Sequence, residues 1–225
     1  MKNKSHLTAV SRKKLSAPMV ELEYDLDRGR VLDYGCGKGF DADCLGLEKY
    51  DPYFFPEKPE GKFDVITCNY VLCVVPEDEQ QAIIDDVMSM LKPGGMAYFT
   101  VRRDKKNLNG WTKRDTFQRF VEIDEEIYHE SKGKFCIYQK KQMEGMIPRT
   151  FKYTLKIKDS ANETNHEFRE GMGVGVLYTV EATFHLTPEE NEKAKEGYSL
   201  FTHSVCQYGE DILDQMIDVK IEEIK

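Results

Sequence analysis

VLDYGCGKG, residues 31–39, joins an apolar run to an acid and then to three alternating glycines. Val31 and Leu32 read as the end of a buried strand. Gly35, Gly37 and Gly39 read as a turn whose missing side chains let a ligand lie against bare backbone where a helix begins. That is a nucleotide cradle, and the plain alternative is a glycine-rich turn between strand and helix. A lone GxGxG does not separate the two, so the decision passes to the residues that follow.

Immediately downstream, FDADCLGLEKYDPYFF predicts a short helix from Phe40 to about Leu45, stopped by Gly46, and a brief second strand from Glu48 to Tyr50 ending at Asp51. A carboxylate at that strand tip can accept from two vicinal hydroxyls at once, which is what a ribose offers. Gly35 and Asp51 are 16 positions apart, fewer than the roughly 20 of the usual dinucleotide fingerprint, so the first helix is stunted. GKFDVITCNYVLCVV then predicts a strand from Phe63 to Thr67 and a loop at Cys68, Asn69 and Tyr70. PEDEQQAIIDDVMSMLKPGG predicts a helix with acids in its first turn and Ile83, Ile84, Val87, Met88 and Leu91 on one face, and MAYFTVRR a further strand. Strand, turn, helix, strand in this rhythm is a βαβ unit of a parallel sheet, whose ligands bind beyond the carboxyl ends of the strands. Gly35, Asp51 and Asn69 all fall at such ends.

The flanks are less specific. Before the cradle, Arg12, Lys13 and Lys14 precede an apolar stretch around Met19, read as a helical lead-in over the first strand whose basic face either is solvated or contacts an anionic substrate. After the sheet, KKNLNGWTKRDTFQRF mixes cations with Trp111 and Phe117, read either as a loop near the site mouth or as a surface for a nucleic-acid backbone and a stacked base. VEIDEEIYHES and KFCIYQKK predict a closing antiparallel pair. From about Met143 the pattern changes: FKYTLKIK alternates as a half-buried strand, and Thr187, Pro188 and Glu190 form a capping box that starts a helix through about Lys195. The second GxGxG, GMGVG, enters a strand and leads to no helix, so it is discounted as a ligand site. A last amphipathic segment, EDILDQMIDVKIEEI, completes a small α+β module. The predicted domains are residues 1–142 and 143–225.

Composition narrows the function classes. With 40% hydrophobic and 32% charged residues the chain is an ordinary soluble protein, and no run approaches the roughly 20 apolar residues that span a bilayer, so no membrane role and a cytoplasmic location are expected. Six cysteines without a CxxC pair, and five scattered histidines, predict reduced thiols and no metal site. Residues 1–142 carry a net charge of −1 and residues 143–225 a net of −7, which argues against nucleic acid on the second module and leaves the first as the phosphate-facing part.

VLDYGCGKG, Asp51, FDVITCNYVLCVV and LKPGGMAYFTVRRD together resemble the first four strands of a class I S-adenosylmethionine-dependent methyltransferase, over roughly residues 28–142. The fuller pattern, with YDPYFFP and NYVLCVV, is similar to the small methyltransferases associated with DNA phosphorothioation systems. The resemblance implies a Rossmann-like α/β methyltransferase fold with a mainly parallel sheet, followed by the small C-terminal α+β module. S-adenosyl-L-methionine is the implied cofactor. It implies that Gly35, Gly37 and Gly39 line the methionine end of the cofactor and that Asp33 steadies the turn or meets the amino group through water. Asp51 holds the ribose, Tyr53 or its neighbour flanks the adenine, and Asn69 and Tyr70 face the sulfonium and the acceptor. GCGKG departs from GxGxxG, which favours this cofactor over a dinucleotide. CNYV stands where amino-methylating DNA enzymes carry NPPY or DPPY, so the resemblance does not extend to adenine or cytosine amino methylation. The acceptor, nucleic acid or small molecule, and any general base are left open. Two other readings compete: a catalytically silent module whose acidic second domain docks a protein partner, and a nicotinamide-dependent oxidoreductase. A mere scaffold needs neither the glycine turn nor Asp51, which speaks against the first.

Overall fold

The computed structural model describes residues 3–104, 106–157, 177–195 and 217–224. The chain divides into two compact units, Met1–Gln142 and Met143–Lys225.

In the first unit, α1 (Ala17–Glu21) precedes β1 (Val31–Tyr34), α2 (Phe40–Leu45), β2 (Glu48–Tyr50), β3 (Phe63–Asn69), α3 (Glu77–Ser89) and β4 (Leu91–Arg102). A small hairpin of β5 (Asn109–Trp111) and β6 (Phe117–Arg119) follows, then β7 (Glu126–Ser131) and β8 (Phe135–Lys141). Six strands form one sheet in the order β2-β1-β3-β4-β8-β7. The first four are parallel, and β8 runs antiparallel to β4 and to β7. This is the Rossmann-like α/β architecture.

Buried parallel strands need apolar residues on both faces, and successive side chains point to opposite faces. The chain obeys this residue by residue. Leu32 and Tyr34, Ile66 and Cys68, Ala97, Phe99 and Val101, and Cys136 and Tyr138 share one core with Ile84 and Val87 of α3. Their neighbours Val31, Val65, Tyr98, Phe135 and Ile137 share the other with Met19 of α1, Leu22 and Leu26. The lead-in therefore closes the second face of the sheet, where Met19 and Leu22 lose all exposure. α2 is one and a half turns long, so β2 follows β1 almost at once and carries Asp51 to the same edge.

Three boundaries differ from the sequence expectation. β3 runs on through Cys68 and Asn69, because Asn69 still pairs with Thr100 of β4. β4 begins at Leu91, which the sequence placed on the apolar face of the preceding helix, with a register shift between Phe63 and Val65 absorbing the LKPGG turn. The basic and aromatic stretch is a hairpin rather than an open loop: Asn109, Gly110 and Trp111 pair with Arg119, Gln118 and Phe117. Trp111 meets Phe117 edge-on at 5.4 Å, and β6 packs on the turn Leu72–Val74 that follows β3.

In the second unit, β9 (Ile147–Ile157) is the centre of a three-stranded antiparallel sheet between β10 (Leu177–Leu186) and β11 (Ile217–Ile224). The predicted capping box starts α4 (Pro188–Lys195): Thr187 N donates to Glu190 Oε2 at 2.8 Å and Glu190 N to Thr187 Oγ1 at 3.2 Å. GMGVG and the first part of the last amphipathic segment lie outside the described residues, and the rest of that segment is β11. No described helix is long and apolar enough to cross a membrane.

Candidate active site

The turn after β1 is tied to β2 through its backbone. Gly35 N and Cys36 N both donate to Tyr50 O, at 2.7 and 3.1 Å, and Gly37 N donates to Asp51 Oδ2 at 3.0 Å. Gly35, Gly37 and Gly39 have φ of 71°, 57° and 77°, a region that L side chains enter only at a cost. Space adds a second demand at Gly35, where a Cβ would stand 2.3 Å from Val71 Cγ2. Gly35 thus lets the chain leaving β3 close against the turn. At Gly37 the bare face meets Ala9, whose Cβ would lie 3.2 Å from an added carbon. Gly39 does not face the cleft: it caps α2, and a Cβ there would strike Lys49 and Phe55.

Asp51 holds the mouth of the site together. Its Oδ1 accepts from Tyr53 N at 2.9 Å and Phe54 N at 3.0 Å, and its Oδ2 takes Gly37 N. A carboxylate offers about four lone-pair sites, so these three bonds leave Oδ2 one acceptor position.

Asp33 is buried at the foot of the turn, where Thr67 Oγ1 donates to its Oδ1 at 3.0 Å. Burial pushes its carboxyl up to about 7, the Thr67 bond and Arg12 oppose this, and Asp41 and Asp51 add to it. Asp41 accepts from Ser16 N at 3.0 Å and faces Arg12 Nε at 3.5 Å.

Asn69 closes β3. Its Oδ1 accepts from Thr100 Oγ1 at 2.5 Å and its amide reaches Met19 Sδ at 3.4 Å, so both polar ends have protein partners. Tyr70 follows with φ of 63° while its N–H is held on Thr100 O at 2.8 Å. A bulky residue in the left-handed region costs on the order of 1–3 kcal/mol and clusters at functional sites. Burial pushes the Tyr70 phenol up to about 12, against the pull of Arg12 and Arg102. Tyr53 keeps 61% of its surface exposed.

These groups line one cleft of about 790 Å³. Of the eight residues singled out in the sequence, Asp33, Gly35, Gly37, Asp51, Tyr53, Asn69 and Tyr70 face it and Gly39 does not. Sequence reasoning missed two groups on its walls. One is Arg102 with Asp104 and Gln118, joined by bonds of 2.9, 2.7 and 2.7 Å; Arg102 was legible only as one cation among several. The other is the N-terminal arm, residues 3–16, which contributes His6 and Arg12. Its pattern carried no signal beyond the basic cluster. Among the described residues no group of His, Cys, Asp and Glu could hold a metal ion.

Residues 8–146 match the family model described as a methyltransferase domain. No curated protein matches the chain. Similar solved structures include 1,6-didemethyltoxoflavin-N1-methyltransferase of Burkholderia thailandensis with bound 1,6-didemethyltoxoflavin and S-adenosylhomocysteine. It is 16% identical over 56% of this chain and 76% of that one, with a TM-score of 0.43. The S-adenosylmethionine-dependent methyltransferase SibL is 12% identical over 56% and 54%, at 0.39. The N-methyltransferase NodS of Bradyrhizobium japonicum WM9 with S-adenosylhomocysteine is 12% identical over 61% and 96%, at 0.38.

Proposed function

The chain belongs to the methyltransferase-domain family, and from that premise we propose that it uses S-adenosylmethionine to methylate nucleic acid at a base brought to the cleft by the β5–β6 hairpin. The observation that carries this reading is the hairpin itself. It exposes Trp111 at 45% beside the exposed cations Lys106, Lys113 and Arg114, while Gln118 on its second strand lines the cleft. An exposed indole among cations is the combination that stacks a base and follows its phosphates. The narrower sequence similarity to methyltransferases of DNA phosphorothioation systems supports the same acceptor class. The CNYV sequence at the end of β3 departs from the NPPY or DPPY of amino-methylating DNA enzymes, which speaks against an exocyclic amino group as the acceptor.

The residues present fit the cofactor. Gly35 and Gly37 offer main chain without side chains along the cleft wall, Asp51 keeps an acceptor position for a ribose hydroxyl, and Tyr53, on which the His6 ring lies in this structure, is the ring at the adenine position. Asp33 and Asp41 supply negative charge where an amino group or sulfonium would need it. When bound, the cofactor supplies an activated methyl group. The protein's share is positioning and exclusion of water: Asn69, fixed by Thr100 and Met19, and Tyr70, held in its strained conformation, line the cleft just before the turn on which the hairpin packs. The free thiols Cys36, Cys44, Cys68, Cys73 and Cys136 suit a reducing compartment and support a cytoplasmic location.

Incubation with methyl-labelled cofactor and separate pools of DNA, RNA, protein and small metabolites tests the acceptor. Label in nucleic acid that declines with rising salt is the expected result. Label confined to small molecules refutes the nucleic-acid acceptor, and cofactor binding with no transfer favours a silent module.

A further inference from the structure

The N-terminal arm is fastened at both ends of the cleft. At the hairpin end, Asn3 Nδ2 donates to Val74 O at 2.9 Å, Phe117 N donates to Asn3 Oδ1 at 3.3 Å, and Lys4 N donates to Asp115 O at 2.8 Å. At the glycine-turn end, Lys38 Nζ donates to Ser11 Oγ at 2.7 Å and Ser16 N to Asp41 Oδ1 at 3.0 Å. Between the two, the His6 imidazole lies flat on Tyr53, with centroids 3.9 Å apart and planes 6° from parallel. Phe54 meets the same tyrosine edge-on at 4.9 Å.

Two rings in face contact at that spacing leave no room for a third between them. We infer that the arm is a strap: His6 occupies the ring face of Tyr53 that adenine needs, so cofactor binding must displace it and thereby slacken the arm's hold on the β5–β6 hairpin. This rests on the reading of the cleft as the adenosyl site. The strap is suited to being lifted. Its one helical turn, Ser5–Thr8, buries no residue, and segments with few buried contacts open at low cost. Because the same arm bonds to Asp115 and Phe117 of the hairpin, the two sites share one displaceable element. Coupling between sites is reciprocal, so an acceptor that draws the hairpin away from Asn3 also frees Tyr53 and strengthens cofactor binding. Donor and acceptor sites are thereby linked without touching.

The protein's single tryptophan reports on this. Trp111 packs on Phe117, whose N–H is bonded to Asn3. Calorimetric titration of S-adenosylhomocysteine into the full chain, with Trp111 emission followed in parallel, compares wild type with His6→Ala and Asn3→Ala. His6→Ala should bind about three- to tenfold tighter, the scale of one aromatic pair. Wild type should show a saturable change in Trp111 emission, and Asn3→Ala should bind tighter with a smaller emission change. Equal or weaker binding by His6→Ala overturns the strap, and wild-type binding with a silent Trp111 overturns its link to the hairpin. A wild type that takes up no heat at all overturns the adenosyl reading itself, so the two failures are distinguishable.

Discussion

Asp33→Asn should stabilise the first unit at neutral pH and leave it unchanged in acid. Asp33 sits at 4% exposure with Thr67 donating to it, and burial lifts its carboxyl from 3.8 to about 7. A carboxyl whose folded value is raised binds a proton in the folded chain that the unfolded chain has already lost. Stability therefore falls as pH climbs from about 4 to 7, and the penalty is fully present above 7. A tenfold change in proton affinity is worth about 1.4 kcal/mol, so a carboxyl raised this far costs the fold about 4 kcal/mol at pH 8. Asparagine keeps the shape and its carbonyl still accepts from Thr67, but it has no charge to desolvate. The assay is urea unfolding of wild type and Asp33→Asn between pH 3.5 and 8, followed by Trp111, which lies in the first unit. The difference in unfolding free energy should be near zero at the acid end and rise to a few kcal/mol in favour of the variant at pH 8. A difference independent of pH, or a wild type more stable than the variant at pH 8, would refute the argument. The same charge has a use: a cationic ligand in the cleft lowers the cost of ionising Asp33, so the acid that weakens the fold is placed to favour a sulfonium or ammonium group.

The remaining expectations are narrower. Asp51→Asn keeps an oxygen for Tyr53 and Phe54 but turns an amide toward Gly37 N, so S-adenosylhomocysteine affinity in calorimetry should fall about 10- to 100-fold, the loss of a bond to a charged group; unchanged affinity removes Asp51 from the site. Gly35→Ala places a carbon 2.3 Å from Val71 Cγ2 at φ 71°, and should destabilise the first unit to denaturant by about 1–3 kcal/mol, as overpacking and left-handed strain do. A neutral variant would mean that Val71 moves away freely. Thr187→Ala removes one arm of the capping box and should cost about 0.5–2 kcal/mol, read as loss of protection in hydrogen exchange over Pro188–Lys195; full protection there would show the helix needs no cap.

Most of the parallel sheet was legible because β1, β3 and β4 carry apolar runs, and the glycines of residues 35, 39 and 46 with the spacing to Asp51 mark the short polar β2. The stunted helix and β2 fall where Gly46 and the spacing to Asp51 put them. β3 was read two residues short, since Cys68 and Asn69 look like loop chemistry and only the ladder to β4 keeps them extended. The hairpin was hidden by its polarity: Asn109, Gly110 and Arg119 carry no strand propensity, and it is the edge contact of Trp111 with Phe117 and the packing of β6 on Leu72–Val74 that hold it. Of the site, the acids and two glycines were visible as types at strand ends. Gly39 caps α2 outside the cleft, and a capping glycine and a ligand-facing glycine look the same in sequence. His6 could not be found, since nothing local marks a residue whose distinguishing contact lies 47 positions away.

The placement of the hairpin between β4 and β7 has an evolutionary corollary. Arg103 and Val121 anchor its base, bonded to each other at 2.7 Å and both buried. Everything between them springs from the sheet as an insert, leaving the strand ladder intact on either side. On the proposed reading, exchange of residues 104–120 would retune acceptor choice while leaving the glycine turn and Asp51 in place, and divergent paralogues sharing this chassis should differ most within that window.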